Sequence, residues 1–389
     1  MGIRDEALPD VARLREEEWV WHEYCTRFGP PEETPDRVRL DQVYYDPGVW
    51  ALATYVAEWG GWEEEFTVEL RPGKEPRAFR YPEDPYLPGL ARAASGPESH
   101  DLLTRYVGLQ PWHVRLDLVR YRPATRAVLR QRARWRRGAT EMTFFMRAVP
   151  PHRLPAYLKA AELVRRSGFG VPPVAGYWSE GGVVWSPAVP GRTVRSLIRE
   201  GSPPDPNLIF DGLHSLWKAD PEAGDPLDLW RDFRWTRDIL CQALPPGEGG
   251  QILERVLGAL SPFVESWMPS GLAHNDFYDD QILLTPSGRL VVVDFEEVGP
   301  GDPLLDVGNF LAHLRWMERF GSASAACGAY REEFQHVALT RFGWPAGDVA
   351  VREAYALFRL CSNPVREPGS GWLSEVLGGL ALVEEALGA

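Results

Sequence analysis

Apolar and polar positions alternate along residues 38–70 with the period of a half-buried strand. The run begins in VRLDQVYYDP (38–47), turns at Pro47-Gly48 and ends in EEFTVEL (64–70). It returns as VRLDLVRYRP (114–123), 76 residues further on, with Pro123-Ala124 at the turn and EMTFFMRAV (141–149) as its third run. The match has no gap, pairing Ala51 with Ala127, Trp59 with Trp135, Thr67 with Thr143 and Arg71 with Arg147. Two copies are too few for a solenoid, so a duplicated three-stranded meander is predicted.

The copies diverge after their third strands. HRLPAYLKAAELVRRSG (152–168) combines good helix formers with arginines in its last turn and Gly168 as a stop. VPPVAGYW (171–178) and VVWSPAV (183–189) then read as short strands, completing a β-β-β-α-β-β order by residue 190. The first copy is followed by PEDPYLPGLARAAS (82–95), whose prolines leave room for only a short helix. Residues 1–110 are therefore read as an accessory cap lacking the long helix, 111–190 as a β-rich lobe, and 191–389 as a mainly helical lobe interrupted by one hairpin.

That hairpin joins ILL (282–284) to LVVV (290–293) through TPSGR. The polar stretch HNDFYDDQ (274–281) leads straight into it, and unpaired polarity beside a buried strand is costly. If Ile282 faces Val293 in this hairpin, Gln281 faces Asp294 at the same end of the ribbon. Opposed residues have Cβ atoms about 4.5–5.5 Å apart, close enough for two oxygen donors to share a cation. Such hard donors suit Mg²⁺ completed by water and phosphate. Asp276, on the loop entering the hairpin, could orient a substrate hydroxyl beside such a centre and accept its proton. Asp276 or Asp294 alone would be an ordinary turn residue; the length of the pattern makes the case.

At 389 residues the chain exceeds one compact core, and two or three packed units are expected. With 44% apolar and 25% charged residues, extensive disorder is excluded. The 16 tryptophans suit either a core or a pocket for a flat or sugar-like ligand. The four cysteines are widely spaced without a C-x-x-C pair, which indicates neither a disulfide framework nor a zinc site, and points to a reducing cytoplasm. The charged N-terminus and the lack of a run of ~20 apolar residues argue against export or a membrane anchor. A net charge of −13 opposes nucleic-acid binding by the molecule as a whole. Between Arg115 and Arg137, however, nine arginines accompany one carboxylate, Asp117, so this region is either a phosphate-holding patch or a solvated strand face.

HNDFYDDQ followed by VVVDFEEVGPGDPLLDVGNFLAHL resembles the aminoglycoside phosphotransferase and choline kinase superfamily, over roughly residues 113–320. Its usual pattern there is H-G-D-x-x-x-x-N, then D-F or D-W, then G-D-P-x-x-D. The resemblance implies an α+β, bilobal protein-kinase-like fold with a β-rich N-lobe and a mainly helical C-lobe, here preceded by a β cap built on the N-lobe pattern. It implies ATP and Mg²⁺ as cofactors, Asp276 as catalytic base, and Gln281 and Asp294 as metal ligands, with Gln281 in the place usually held by Asn. His274 would brace the loop, Asp302 would cap the helix beginning at Pro303, and Asp306 would accept backbone N–H bonds from the catalytic loop. In the smaller lobe, Arg147 stands where the family has a phosphate-contacting lysine, and its fork of donors differs from lysine in shape and reach. Glu162 would be its partner, or else simply solvated. The turn Pro123–Thr125 would cover the phosphates, and WSPAVPG (185–191), including Ser186 and Ala188, would be a hinge offering backbone groups to adenine. Asn275 replaces the family's Gly. A looser resemblance links the Gln and the N-terminal cap to maltokinase-like members.

The implied reaction moves the γ-phosphoryl group of ATP to a hydroxyl acceptor of small size. Residues 205–270 would line the acceptor site, with Trp217, Trp230 and Trp235 interspersed among Asp220, Asp225, Asp228, Asp232 and Asp238. Aromatic platforms with carboxylates suit a sugar, amino sugar or polyol; an amphipathic helix with core tryptophans is the plainer reading. An aminoglycoside is the alternative acceptor. A pseudokinase that binds nucleotide with little turnover is the rival that Arg147 and Asn275 suggest.

Overall fold

The alternating runs become antiparallel strands. The computed structural model describes residues 5–135, 141–167, 169–219, 226–245, 247–321, 324–366 and 371–388. Two units divide it: residues up to Pro155 with Pro172–Ala188, and Ala156–Val171 with Val189–Ala389. Gly168, Arg136, Arg137, Asp220 and Asp225 lie outside the described residues.

In the first unit, α1 (Glu17–Phe28) precedes a sheet of β1 (Arg37–Asp46), β2 (Trp50–Trp59), β3 (Trp62–Leu70) and β4 (Arg77–Arg80), paired in chain order. Two helices follow, α2 (Leu90–Ala94) and α3 (Gly96–Val107). The second sheet contains β5 (His113–Arg122), β6 (Arg126–Arg134), β7 (Glu141–Ala148), β8 (Gly176–Trp178) and β9 (Val183–Pro187) in the order β5-β6-β7-β9-β8. Along β6, Ala127, Leu129, Gln131 and Ala133 are buried, while Arg126, Arg130, Arg132 and Arg134 take the other face, as a period of two demands. Leu90, Leu102 and Leu103 from α2 and α3 share a core with Leu129, Phe144, Met146 and Trp185. The 82–95 segment carries only the five-residue α2, but α3 follows it at once, so the expected lack of a longer helix after the first copy is corrected.

The repeat also needs correction. Its first hairpins agree: Tyr45 faces Ala51, Tyr121 faces Ala127, and each copy has one register irregularity. Its second hairpins differ by two residues. Thr54 faces Thr67, whereas Arg130, its counterpart in the second copy, faces Phe145 rather than Thr143. A tight Gly60-Gly61 turn joins β2 to β3, while Arg134 pairs with Glu141 across a longer connection. An even slip leaves every side chain on its own face, which is why the ungapped match looks consistent. The structural counterpart of Arg147 is therefore Glu69, not Arg71.

The second unit holds most of α4 (Leu154–Arg166) and then runs through β10 (Arg192–Thr193), α5 (Val194–Arg199), α6 (Pro206–Trp217), α7 (Leu229–Ala243) and α8 (Glu248–Ser266). Next come β11 (Gly271–Ala273), β12 (Ile282–Leu284), β13 (Leu290–Val292), β14 (Gly299–Gly301), α9 (Pro303–Phe320), α10 (Ser324–Phe342), α11 (Ala346–Leu360), α12 (Asn363–Arg366) and α13 (Trp372–Leu387). Phe233, Leu240, Leu260, Tyr355, Phe358 and Leu380 form part of its core. The hairpin β12–β13 gains β10 as a third strand, and β11 pairs with β14; these two- and three-residue pieces are too short to show a period. Among the described residues no helix is long and apolar enough to cross a membrane, and all four cysteines are free thiols.

Candidate active site

The loop between β11 and β12 carries His274 to Gln281, and α9 holds it from behind. Asp302 starts α9 by accepting the Leu304 N–H at 2.9 Å with Pro303 in the first turn, and it also takes the Arg352 guanidinium at 2.9 Å. One helical turn on, Asp306 is fully buried and accepts the N–H groups of His274 (2.9 Å) and Asn275 (2.8 Å). A third donor is the Trp217 indole of α6, at 2.9 Å. Burial nevertheless pushes the Asp306 carboxyl up to about 7, against the pull of these donors. Asn309, three residues along the same face, donates to the Phe277 carbonyl at 3.0 Å.

Asn275 adopts a left-handed backbone with φ +67°, and its Nδ2 donates to the Glu297 carbonyl at 2.8 Å. Asparagine is among the few L-residues that visit this region readily, which explains how it stands where glycine is usual. Its neighbour Gly301 leaves room for that side chain, because a Cβ there would lie 1.9 Å from Asn275 Oδ1 and one of the two would have to shift. His274 is buried against Phe277, and burial pushes its pKa down to about 4, so the ring is neutral.

Asp276 Oδ2 accepts the Gln281 Nε2–H at 3.2 Å, and its Oδ1 lies 3.8 Å from the Arg359 guanidinium of α11. Burial is the main cause that pushes this carboxyl up to about 6; Arg359 opposes it, Asp294 reinforces it, and the Gln281 hydrogen bond opposes it. The side chain is still 36% exposed, so the group is reachable.

The hairpin register is one place off the expected pairing of Ile282 with Val293. Ile282 pairs with Val292, and the Val293 N–H donates to the Gln281 carbonyl, so Gln281 faces Val293 and not Asp294. The cause is the turn: Thr285 and Arg289 close a three-residue loop with Gly288 at φ +77°, which centres the hairpin on Ser287 and so sets Ile282 opposite Val292. In an unbroken ladder this slip would send Gln281 and Asp294 to opposite faces. Gln281, however, ends a 3₁₀ turn (Asp279–Gln281) rather than extending the strand, and its amide reaches Asp276, whose carboxyl also feels Asp294. Gln281 thus reaches Asp276, which also lies within electrostatic reach of Asp294. Gln281 Oε1 is buried without a hydrogen-bond partner, a donor oxygen fit for a hard cation. Among the described residues no group of three or more His, Cys, Asp or Glu could hold a metal, so an ion here would take much of its shell from water and phosphate.

Sequence reasoning missed several braces. Asp279 is fully buried and paired in a bidentate fashion with Arg195 (2.9 and 3.1 Å), which also lies 5.5 Å from the centre of the Tyr278 ring. Trp217, expected as an acceptor platform, ties α6 to Asp306 instead, and Asp228 caps α7 through the Arg231 N–H. Partners 84 and 89 residues apart leave no local signal.

The remaining predicted residues lie as follows. Arg147 sits on β7 between Val128 and Val184, on the face that also carries Phe145. Glu162 is half-buried and bound by Arg165 (2.7 Å) and Arg166 (2.9 Å) of its own helix; hydrogen bonds from Arg165, then Arg166, hold its pKa down at about 2. Pro123 is buried in the β5–β6 turn, with Thr125 half-buried beside it. Ser186 pairs with Phe145, and the Ala188 N–H donates to the Thr143 carbonyl at 2.8 Å. Asp117 takes Arg115, Arg130 and Arg132, so part of the arginine-rich face is internally neutralised.

An antiparallel sheet followed by a helical lobe, with this loop at its heart, defines a small-molecule kinase of protein-kinase-like fold. The chain belongs to the phosphotransferase enzyme family, whose model matches residues 124–349, more than half its length. The superfamily is that of aminoglycoside phosphotransferases and choline kinases. Among solved structures, a choline/ethanolamine kinase family protein from Mesorhizobium loti is similar with a TM-score of 0.54 at 16% identity, covering 75% of this chain and 95% of that one. A thermostable mutant of the aminoglycoside phosphotransferase APH(4)-Ia in its apo form gives 0.52 at 16% identity, covering 74% and 98%. Such a mutant in ternary complex with ADP and hygromycin B gives 0.50 at 14%, covering 74% and 97%. At these identities the likeness is one of fold. No curated protein gives a significant match.

Proposed function

We propose that this kinase moves the γ-phosphoryl group of ATP to a hydroxyl of a sugar, amino sugar or polyol in the cytoplasm, with Mg²⁺ as its metal ion. Asp276 carries the reading. A carboxyl pushed up to about 6 is mostly ionised at neutral pH yet takes a proton more readily than an ordinary aspartate, which suits a group that receives the acceptor's hydroxyl proton. In that step the acceptor oxygen bonds to the γ-phosphorus, the bond to the bridging oxygen breaks to release ADP, and the proton passes to Asp276. Gln281 and Arg359 hold the carboxylate by its two oxygens. Mg²⁺, when bound, would neutralise phosphate charge, with Gln281 Oε1 and Asp294 as its protein ligands.

Arg147, Pro123, Thr125 and the backbone of Ser186 and Ala188 are proposed to contact nucleotide, and residues 1–110 to act as an accessory cap. Support for a sugar-like acceptor comes from α7. Trp230 is 38% exposed, and Asp232 lies within electrostatic reach of Arg359, the neighbour of Asp276. The exposed Trp230 indole, with the Arg234 guanidinium 5.8 Å from its ring centre, suits the apolar face and hydroxyls of a sugar ring. An aminoglycoside acceptor is the alternative, in keeping with the hygromycin B complex of the similar phosphotransferase. The rival, a nucleotide-binding protein of low turnover, draws on Glu162 being engaged by its own helix.

A screen of sugars, amino sugars and aminoglycosides with an ADP-release readout separates these. Acceptor-dependent release that disappears in Asp276→Ala, with Mg²⁺-dependent ATP binding retained, is the expected result. ATP binding that ignores Mg²⁺, with no acceptor raising ADP release, would favour the rival.

A further inference from the structure

The β5–β6 turn has no backbone donor to spare. Pro123 has no N–H. The Ala124 N–H donates to Asp84 Oδ2 at 2.8 Å, and the Thr125 N–H to the Arg122 carbonyl at 3.1 Å. Every amide of the turn is thus absent or spent, a complete account of its donors. Ala124 is held at φ +58°, a left-handed conformation unfavourable for alanine, and the Asp84 hydrogen bond fixes it there.

Asp84 is built for that task. It is only 4% exposed, lies between β4 and α2, and accepts the Tyr121 hydroxyl at 2.9 Å and the Tyr86 N–H at 2.8 Å besides Ala124. Tyr121 is itself packed edge-on against Tyr81, 5.5 Å between ring centres. A carboxylate so enclosed does not meet a ligand; it acts through the turn.

We propose that Asp84 is a positioning residue for nucleotide phosphate: it locks the β5–β6 turn so that phosphate is met by the Thr125 hydroxyl and not by backbone amides. This rests on the reading that the turn covers the phosphates. It also gives the segment after the cap sheet a part in nucleotide binding, through one buried carboxylate.

Titration of the full-length protein with AMP-PNP and Mg²⁺ tests it, on Asp84→Ala, Asp84→Asn, Thr125→Ala and the double variant Asp84→Ala/Thr125→Ala. Asp84→Ala and Thr125→Ala are each expected to weaken binding ~10-fold, and the double variant to be no more than ~3-fold weaker than either, because both act at one contact. Asp84→Asn keeps an oxygen for the Ala124 N–H and should stay within ~3-fold of the natural protein, a rescue that a general loss of packing would not track. A folded Asp84→Ala protein that binds AMP-PNP normally, or losses that multiply in the double variant, overturns the proposal. If Asp84→Ala does not fold, Tyr121→Phe removes one partner of the same oxygen and should weaken binding ~3-fold; unchanged binding there overturns it equally. Failure of the natural protein to bind AMP-PNP would instead overturn the nucleotide reading itself, and the latch with it.

Discussion

Replacing Asn275 by alanine and by glycine isolates the cost of the left-handed backbone beside Asp276, the proposed catalytic base. Both variants lose the Nδ2–H donation to the Glu297 carbonyl, worth ~1 kcal/mol. Alanine alone then incurs the left-handed penalty of ~1–2 kcal/mol at φ +67°. Entropy of the unfolded chain works the other way, favouring alanine over glycine by only ~0.4–1 kcal/mol. The backbone effect wins, so Asn275→Gly should be more stable than Asn275→Ala by ~1 kcal/mol, the reverse of the order at ordinary positions. At ~2–4 °C per kcal/mol for a domain of this size, the melting temperatures should differ by about 3 °C. Calorimetric melting of the two variants beside the natural protein reads this directly. Phosphoryl transfer should fall further in the alanine variant, since a relaxed φ moves Asp276, the next residue. An alanine variant as stable as the glycine variant would refute the reasoning, because position 275 would then not be holding that backbone.

Three other expectations follow from the same site. Burial lowers the pKa of His274 to about 4, below the ordinary value near 6.5, so its contribution to stability is present above pH 6.5 and lost as pH falls towards 4, roughly 3 kcal/mol in all. Asp276 and Asp306, raised by burial, slope the opposite way in that window but equally in both proteins, so the melting temperature of His274→Phe should gain on that of the natural protein as pH falls from 6.5 towards 4, and parallel pH profiles would reject the assignment. Arg195→Ala strands the buried Asp279 carboxylate and should cost ~3–5 kcal/mol by urea denaturation, with Asp279→Asn recovering much of it in the double variant. Gln281→Ala and Asp294→Ala should weaken Mg²⁺-dependent nucleotide binding to a similar degree, and a Gln281→Ala protein with unaltered metal dependence would remove it from the ligand set.

What could be read from the sequence was what repeats locally. The strands of both meanders, the β-β-β-α-β-β order and the cap on α9 at Asp302 all rest on periods and end signals a few residues long. The two-residue slip of β7 was hidden because an even shift preserves the faces. α3 had a visible signal that the prolines upstream obscured: Ser95 stands at its N-cap, Pro97 lies in its first turn, and Leu102 and Leu103 form its apolar face. The braces of the loop were out of reach, since Arg195 meets Asp279 and Trp217 meets Asp306 from 84 and 89 residues away.

The hairpin shows why a site can be found by a premise that fails. Setting Ile282 against Val293 put Gln281 opposite Asp294, but TPSGR is centred on Ser287, and a glycine able to take φ +77° at the last loop position allows the three-residue turn that pairing about that centre requires. The slip should have separated the two side chains. Gln281, however, is not a strand residue: the 3₁₀ turn at Asp279–Gln281, pinned by the Arg195–Asp279 pair, breaks the alternation before the ladder begins and returns the amide to Asp276, which also lies within electrostatic reach of Asp294. Juxtaposition at this site is therefore a property of the loop and its buried ion pair, and the ribbon only supplies the stem. It follows that loosening Arg195–Asp279 should disturb Gln281 more than shortening or lengthening the TPSGR turn would.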